Sequence, residues 1–233
     1  MISVCIATYN GEKYIREQLD SILTQLGPED EVVISDDGSK DNTLKIVESY
    51  NDKRIIVLHN KGKHGFTHNF ENAIKNAKGD IIFLSDQDDV WPESKVESFL
   101  EVIKPGYLVI SDAWVCSGTL EKRFRLSKVR CFKSTYWQNL YKGMFLGSTM
   151  AFTKDSLDYF LPIPNVLGHD MWFALLSALK NKLIYLDKPL LLYRRHDATV
   201  TPSGGKSENS LLYRISYRLN FLIYTLKRYY FKK

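Results

Sequence analysis

The chain has 233 residues, of which 44% are apolar and 25% charged, so it suits one folded domain and excludes a disordered or fibrous protein. The net charge of +5 is uneven, since residues 206–233 carry +6 and residues 1–205 carry −1. No uncharged apolar run approaches the roughly 18 residues of a membrane span, and no charged leader marks a signal peptide. Three cysteines without a CxxC pair (Cys5, Cys116, Cys131) favour a reduced, cytoplasmic setting.

The first half of the sequence alternates between apolar, β-branched runs and segments with helical spacing. Strands are predicted at 2–7, 31–36, 54–59, 80–86 and 107–112, with helices between them. This alternation is typical of an α/β, Rossmann-like domain with a mostly parallel central sheet covered by helices. After about residue 112 the regular pattern lapses, until a strand pattern at 147–153 and a helix that opens at His169-Asp170.

Polar or acidic residues follow three of the predicted strands. They are Thr8-Tyr9-Asn10, Asp36-Asp37-Gly38-Ser39 and Asp86-Gln87-Asp88-Asp89. Ligands of parallel sheets bind beyond the carboxyl ends of the strands, so we expect these three clusters to meet in space.

The third cluster has two interpretations. Asp86 and Asp88 suit a Mg²⁺ ion, which proteins hold with one or two carboxylates plus substrate phosphates. Alternatively, Asp88 or Asp89 caps the helix predicted at 93–103, and Asp89 fits that role best. The segment with Asp37 also has two interpretations. Asp-Gly-Ser is a common turn sequence, and the carboxylate could instead bind a ribose or base.

Two later segments carry candidates for the same edge of the sheet. Asp170 precedes an apolar helical pattern, so it is either the N-cap of that helix or a general base that faces the cleft. His196 is either a surface histidine or, as neutral imidazole, a metal ligand. The neighbouring Arg194 and Arg195 could neutralise phosphates.

Six fragments in this order resemble the family 2 glycosyltransferases, which have the GT-A fold. They are VCIATYNGEKYIREQLDSILTQ, VVISDDGSKDNT, GDIIFLSDQDDVWPESK, GSTMAF, HDMWFALL and LLLYRRH. The forms SDQDDVW, HDxW and YRxH are similar to a subgroup of bacterial rhamnosyltransferases of surface-polysaccharide biosynthesis. The resemblance implies an inverting, metal-dependent transferase whose donor is dTDP-rhamnose, a UDP-hexose or a UDP-N-acetylhexosamine, and whose acceptor is a saccharide hydroxyl.

The resemblance also implies a role for each matching residue on the donor side. Thr8 and Tyr9 would line the nucleotide pocket, and Asp37 would bind the base. Asp86 would face the ribose or the metal shell. Arg195 is the candidate for a phosphate contact through its charge.

On the metal and acceptor side, the resemblance makes Asp88 the main ligand of Mn²⁺ or Mg²⁺. His196 would be a second metal contact behind the pyrophosphate. Asp170 would be the catalytic base that removes the acceptor proton.

The basic tail has helical spacing, with Leu211, Leu212, Ile215, Leu219, Leu222, Ile223 and Leu226 on one side. It is either a helix packed on the domain or, as we favour, an interfacial helix that binds anionic lipid on the cytoplasmic face of the membrane. The second interpretation suits a lipid-linked acceptor. No recognition motif accompanies the basic residues, so no nucleic-acid partner is expected.

We therefore predict a nucleotide-sugar-binding half (1–112), an acceptor-binding and catalytic half of the same domain (113–205) and a membrane-associating tail (206–233). Two alternatives stay open. A sugar nucleotidyltransferase would need a Gly-rich, basic loop after the first strand, where this chain has Ala7-Thr8-Tyr9-Asn10. A membrane-tethered binding module without transferase activity would not need the set Asp88, Asp170 and His196.

Overall fold

A computed structural model describes residues 1–129, 135–143, 145–196 and 210–231 of the chain. The predictions that involve Cys131, residues 197–209 and the last two lysines lie outside the described residues. The described strands are β1 Ile2–Thr8, β2 Glu31–Asp36, β3 Ile55–His59, β4 Ile81–Asp86, β5 Leu108–Cys116, β6 Lys122–Arg125, β7 Met150–Thr153 and β8 Leu183–Arg194. The described α-helices are α1 Ile15–Leu23, α2 Thr43–Glu48, α3 Phe66–Asn76, α4 Lys95–Leu100, α5 Tyr136–Lys142, α6 Leu157–Phe160, α7 His169–Leu179 and α8 Leu211–Phe231.

These strands form one mixed sheet in the order β3-β2-β1-β4-β7-β5-β6, and β8 pairs with β5. Strands β1 to β4 are parallel where they pair. Strand β7 is antiparallel to both β4 and β5, and these two reversals give β5 and its parallel partner β8 the direction of β1 to β4. The carboxyl end of β8 therefore reaches the same edge of the sheet as those of β1, β2 and β4.

Helices cover both faces of the sheet, as the sequence predicts. Successive residues of β1 point to opposite faces, so Val4 and Ile6 join one core cluster and Cys5 joins the other. Helices α1, α2 and α4 complete the first cluster, and α3, α5, α6, α7 and α8 complete the second. The predicted fold class, a helix-covered α/β sheet with a C-terminal helix, is confirmed.

The expectation that regular structure lapses after residue 112 is wrong. Strand β5 continues to Cys116, because its second half pairs with β8 on one side and with β6 on the other. The predicted division between the two halves falls inside this strand, and their separate roles stay a prediction. The strand predicted at 147–153 is shorter than expected, since residues 147–149 form a 3-10 turn.

Helix α8 packs on the domain along one side. Phe221 is fully buried, and the Thr225 hydroxyl lies 2.6 Å from the Tyr136 hydroxyl of α5. Arg228 donates hydrogen bonds to the carbonyls of Tyr159, Leu161 and Pro162. The packed-helix interpretation is therefore correct for this side. Among the described helices, none is long and apolar enough to cross a bilayer.

The opposite side of α8 is apolar and exposed. A period of about 3.6 residues places Leu212, Ile215, Leu219 and Ile223 together, roughly opposite Phe221. These four side chains, the outward face of α8, are exposed, and Leu212 reaches 80% exposure. The amphipathic pattern in the sequence therefore indicates the face of α8 that the rest of the domain leaves uncovered.

Candidate active site

The polar ends of the strands meet, as the sequence predicts. Thr8 at the end of β1 lies opposite Asp36 of β2, and Ala7 lies opposite Asp86 of β4. Beyond β4 the chain continues as an acidic loop, and Val90 in this loop pairs with Leu192 of β8. This bridge holds the acidic loop against the end of β8 and brings His196 to the same edge.

Asp88 and His196 are in direct contact although 108 residues separate them. The Oδ2 atom of Asp88 lies 2.8 Å from Nε2 of His196. Their side chains are 20% and 16% exposed, so both face a partly closed space. The His196 ring also packs against Tyr14, with 4.7 Å between ring centroids. The interpretation of His196 as an isolated surface histidine is therefore wrong.

Two more carboxylates lie beside this pair. Burial and the negative charges of Asp88 and Asp170 raise the pKa of Asp86 to about 7. Burial, followed by the charges of Asp88 and Asp86, raises the pKa of Asp89. We call Asp86, Asp88, Asp89, Asp170 and His196 the carboxylate rim.

Asp89 does not cap the next helix, contrary to the expectation. Its Oδ1 atom accepts a hydrogen bond of 3.0 Å from the backbone N–H of Arg194, and its side chain is buried. Helix α4 begins at Lys95 without a side-chain cap. Asp89 thus fixes the end of β8 to the acidic loop, because a buried carboxylate needs a hydrogen-bond donor and the strand end supplies one.

Lys95 is a buried cation next to the rim. Its Nζ atom donates a 2.7 Å hydrogen bond to the Ser148 carbonyl and lies 4.2 Å from the centroid of the Trp91 ring. Burial lowers the pKa of Lys95 to about 7, against the opposing influence of the negative charges of Asp89 and Asp86. The sequence interpretation missed this residue, because no local pattern distinguishes a buried lysine from a surface one.

Asp170 lies in the first turn of α7, and Gly168 is the N-cap of this helix, without a side-chain cap. The N-cap interpretation of Asp170 is therefore wrong. Its Oδ1 atom accepts a 2.6 Å hydrogen bond from the backbone N–H of Met171. The negative charge of Asp170 contributes to the raised pKa of Asp86, and the role of Asp170 as a base stays a prediction.

Thr8 and Tyr9 have different surroundings at the end of β1. The Thr8 hydroxyl is buried and donates a hydrogen bond of 3.0 Å to the Asp36 carboxylate, so the Thr8 side chain links the ends of β1 and β2. Tyr9 is exposed, and Gln87 bonds both its backbone N–H (2.9 Å) and its carbonyl (3.0 Å). Gln87, which the sequence interpretation missed, therefore ties the end of β1 to the acidic loop.

Asp37 lies further along the edge, after β2. Its carboxylate accepts hydrogen bonds from the Asn60 amide (2.8 Å) and the Gly65 N–H (2.7 Å), and it lies 2.9 Å from the His64 ring. The segment before α3 thus encloses Asp37 at the side of the edge away from β8.

The two arginines at the end of β8 differ. Arg194 is buried and pairs with Glu17, while it donates to the carbonyls of Asp88 and Gly118, so it supports the acidic loop. Arg195 is partly exposed, and its guanidinium contacts the Tyr193 hydroxyl at 3.2 Å. The phosphate contact expected of Arg195 stays a prediction.

The Asp88–His196 pair fits two neighbouring positions around a divalent ion. Ligands about 2.1 Å from Mg²⁺ at right angles lie about 3 Å apart, close to the observed 2.8 Å. Within the described residues, no three His, Cys, Asp or Glu side chains converge as a complete metal cage. A pair of this kind is suited to an ion whose remaining ligands are substrate phosphates and water.

Three curated relatives resemble the chain over most of its length. The dTDP-rhamnosyl transferase RfbG of Shigella flexneri is 29% identical over 82% of this chain and 72% of its own. The putative teichuronic acid biosynthesis glycosyltransferase TuaG of Bacillus subtilis is 34% identical over 95% and 90%. The UDP-Glc:alpha-D-GlcNAc-diphosphoundecaprenol beta-1,3-glucosyltransferase WfgD of Escherichia coli is 24% identical over 99% and 96%. Other curated glycosyltransferases are longer, and the chain spans about a third of their length.

Solved structures of similar fold include Staphylococcus aureus TarS in complex with UDP-GlcNAc. The TM-score is 0.67 at 21% identity, over 98% of this chain and 72% of the TarS 1–349 chain. A mannosyltransferase of Pyrobaculum calidifontis in complex with GDP-Man and Mn²⁺ has a TM-score of 0.59 at 21% identity, over 81% and 54%.

The family model described as "Glycosyl transferase family 2" matches residues 3–160, which include the ends of β1, β2 and β4. This match excludes the sugar nucleotidyltransferase alternative. The chain belongs to glycosyl transferase family 2, and it is therefore a glycosyltransferase.

Proposed function

We propose that the chain is an inverting, divalent-metal-dependent glycosyltransferase with a lipid-linked saccharide acceptor in bacterial surface-polysaccharide assembly. The donor would be dTDP-rhamnose or a UDP-hexose or UDP-N-acetylhexosamine, in agreement with the names of RfbG, WfgD and the TarS complex. The main observation is the 2.8 Å contact between Asp88 and His196 beside Asp86 and Asp170. It supports an ion site and a base at one edge of the sheet.

Asp88 and His196 would hold Mn²⁺ or Mg²⁺, and Asp86 would complete its surroundings or bind the ribose. A bound ion supplies charge that neutralises the departing nucleoside diphosphate. Tyr9, Asp37 and Arg195 would border the nucleotide.

The acceptor side of the reaction depends on Asp170. An acceptor hydroxyl oxygen attacks the anomeric carbon while the bond from this carbon to the diphosphate oxygen breaks. The Asp170 carboxylate takes the hydroxyl proton, and the diphosphate leaves with the bonding electrons. One displacement of this kind inverts the anomeric configuration.

A donor panel tests this function. Nucleotide sugars are incubated with the protein and Mn²⁺ or EDTA, and nucleoside diphosphate release is measured with and without saccharide acceptors. We expect release with one donor class in Mn²⁺, and at least 100-fold weaker calorimetric donor binding in Asp88→Ala. Unchanged Mn²⁺-dependent affinity in Asp88→Ala would remove Asp88 from the site. Donor binding without any turnover would support the non-catalytic binding module.

We further propose that α8 places the enzyme on the inner face of the cell membrane. The support is the exposed outward face of α8 (Leu212, Ile215, Leu219 and Ile223), together with the basic charge of the tail. Apolar side chains of this size contribute about 1.5–3 kcal/mol each when buried fully. Since the opposite side of α8 packs on the domain, the helix would lie in the interface with the catalytic domain above it.

A further inference from the structure

The first turns of α8 lie next to Asp170. A methyl group placed on Gly168 would lie 2.9 Å from Oδ1 of Asp170 and 3.5 Å from Oη of Tyr217. Burial and, next, the negative charge of Asp170 raise the pKa of Tyr217. The Tyr217 phenol and the Asp170 carboxylate therefore border the same small space, although they come from different helices.

Tyr217 is one half of an aromatic pair. The Tyr213 and Tyr217 rings are nearly parallel, with centroids 6.1 Å apart and an interplanar angle of 11°. Phe221, which is fully buried, supports Tyr217 edge-on at 4.9 Å. Tyr213 is 54% exposed and Tyr217 is half-buried, so the pair extends from solvent to the turn that carries Asp170.

An aromatic surface in this place suits a sugar ring. One side of a pyranose carries mainly C–H groups, which pack on an aromatic face, while its hydroxyls reach polar groups at the edge. Tyrosine also supplies a phenol hydroxyl that can orient one of those hydroxyls. General-base catalysis requires the attacking hydroxyl to be held within hydrogen-bond reach of the base.

The pair belongs to the acceptor side of the site. Tyr217 has Gly168, Asp170 and Phe221 as neighbours, all from the α7–α8 region. Asp37, by contrast, is enclosed by the segment between β3 and α3, at the part of the edge that we assign to the nucleotide.

We propose that Tyr213 and Tyr217 form the acceptor subsite, where a sugar ring of the acceptor stacks on the tyrosines with its reactive hydroxyl at Asp170. This inference rests on the proposed function. It gives α8 two tasks, since the helix that faces the membrane on one side also receives the saccharide at its N-terminal end. A lipid-linked saccharide would then reach the base without leaving the surface of the bilayer.

The test uses Tyr213→Ala, Tyr217→Phe and Tyr217→Ala, with Tyr230→Ala as a matched control at the other end of α8, where Tyr230 is 68% exposed. The acceptor probes are octyl glycosides of glucose, N-acetylglucosamine, galactose and rhamnose. Saturation-transfer NMR measures their binding, and transfer kinetics measure KM and kcat. Calorimetry with the donor, in Mn²⁺, reports on the donor site.

We expect the two alanine variants to weaken binding of the best probe about tenfold, mainly through KM, because each variant removes an aromatic face on which the sugar ring packs. Tyr217→Phe should retain most of the binding and lose kcat. Donor affinity should stay within twofold in all variants, and Tyr230→Ala should match the wild type in every measurement.

Three results would overturn the acceptor subsite. They are equal glycoside binding by Tyr213→Ala, Tyr217→Ala and the wild type; no binding of any probe by the wild type; and loss of donor affinity in parallel with transfer. Failure of the proposed function is a separate observation, namely a wild-type protein that neither releases nor transfers from any donor.

Discussion

The carboxylate rim and helix α8 are stabilised in opposite ways. Each rim residue is held by a specific polar neighbour, such as the Arg194 N–H for Asp89 and His196 for Asp88. Helix α8 is held by a buried side that includes Phe221 and Thr225, while its outward face is exposed. Under the proposed function the rim carries the chemistry and α8 the membrane contact, so substitutions in the two regions should affect different measurements.

The largest expected effect is at Asp170. Asp170→Asn removes the base but keeps the size of the side chain, so turnover should fall about 10²–10⁴-fold while donor affinity is kept. Steady-state kinetics and donor calorimetry check this, and vesicle binding should not change. Near-normal transfer by the variant would exclude Asp170 as the base.

The second effect concerns stability of the rim. Lys95→Met removes the buried Nζ group that donates a hydrogen bond to the Ser148 carbonyl, which leaves a buried acceptor unpaired. We expect a loss of about 1–3 kcal/mol in the free energy of unfolding at pH 7.5, measured with urea. A loss below about 0.5 kcal/mol would contradict this role of Lys95.

Substitutions on the outward face of α8 should change vesicle binding and leave nucleotide release unchanged. Leu219→Asp/Ile223→Asp should reduce binding to phosphatidylglycerol-containing vesicles at least tenfold in flotation. The substitutions remove apolar area from the outward face and add negative charge, which the anionic lipid repels. Ser216→Asp/Asn220→Asp adds the same charge to the helix and should reduce binding less. Acceptor-free nucleotide release should stay unchanged in both. Equal loss in the two variants would indicate a purely electrostatic attachment.

Deleting α8 would be a poorer test of membrane binding. Its buried side covers Tyr136 and the carbonyls that Arg228 bonds, so truncation exposes part of the core. Charge substitutions on the exposed side leave these contacts intact.

The smallest expected effect is the pH dependence of folding stability that Asp86 causes in the absence of metal. The pKa of Asp86 is about 7 in the folded protein and about 3.9 when unfolded, so the folded state binds the proton more tightly. Wild-type stability should therefore fall as the pH rises from about 4 to about 7, with the full loss above pH 7. Asp86→Asn should gain about 1–2 kcal/mol relative to the wild type between pH 5 and pH 8, in urea titrations with EDTA.

The control for this titration is Glu29→Gln, because Glu29 is exposed. Its stability should follow the wild type at every pH. A difference between Asp86→Asn and the wild type that stays constant from pH 5 to pH 8 would show that Asp86 does not titrate in this range.

Much of the fold and part of the site could be predicted from the sequence. The alternation of buried strands and amphipathic helices is local, so it indicated β1 to β4 and the helices between them. Parallel strands share an edge, so the meeting of Asp36, Asp86 and Asp88 followed from the order of elements. The choice of His196 and Asp170 came from the family resemblance, since residues 80 or more positions apart share no local pattern.

Only the tertiary structure decided which partner each polar residue has. The antiparallel strand β7 sets the direction of β8, and this direction brings Arg194 to Asp89, where a cap had been expected. A lysine is a surface residue by default, so the burial of Lys95 depends on the packing of Trp91 and the turn at Ser148. The amphipathic pattern of the tail revealed one apolar face, whereas packing decided that α8 also has a buried face and brings Tyr217 to Asp170.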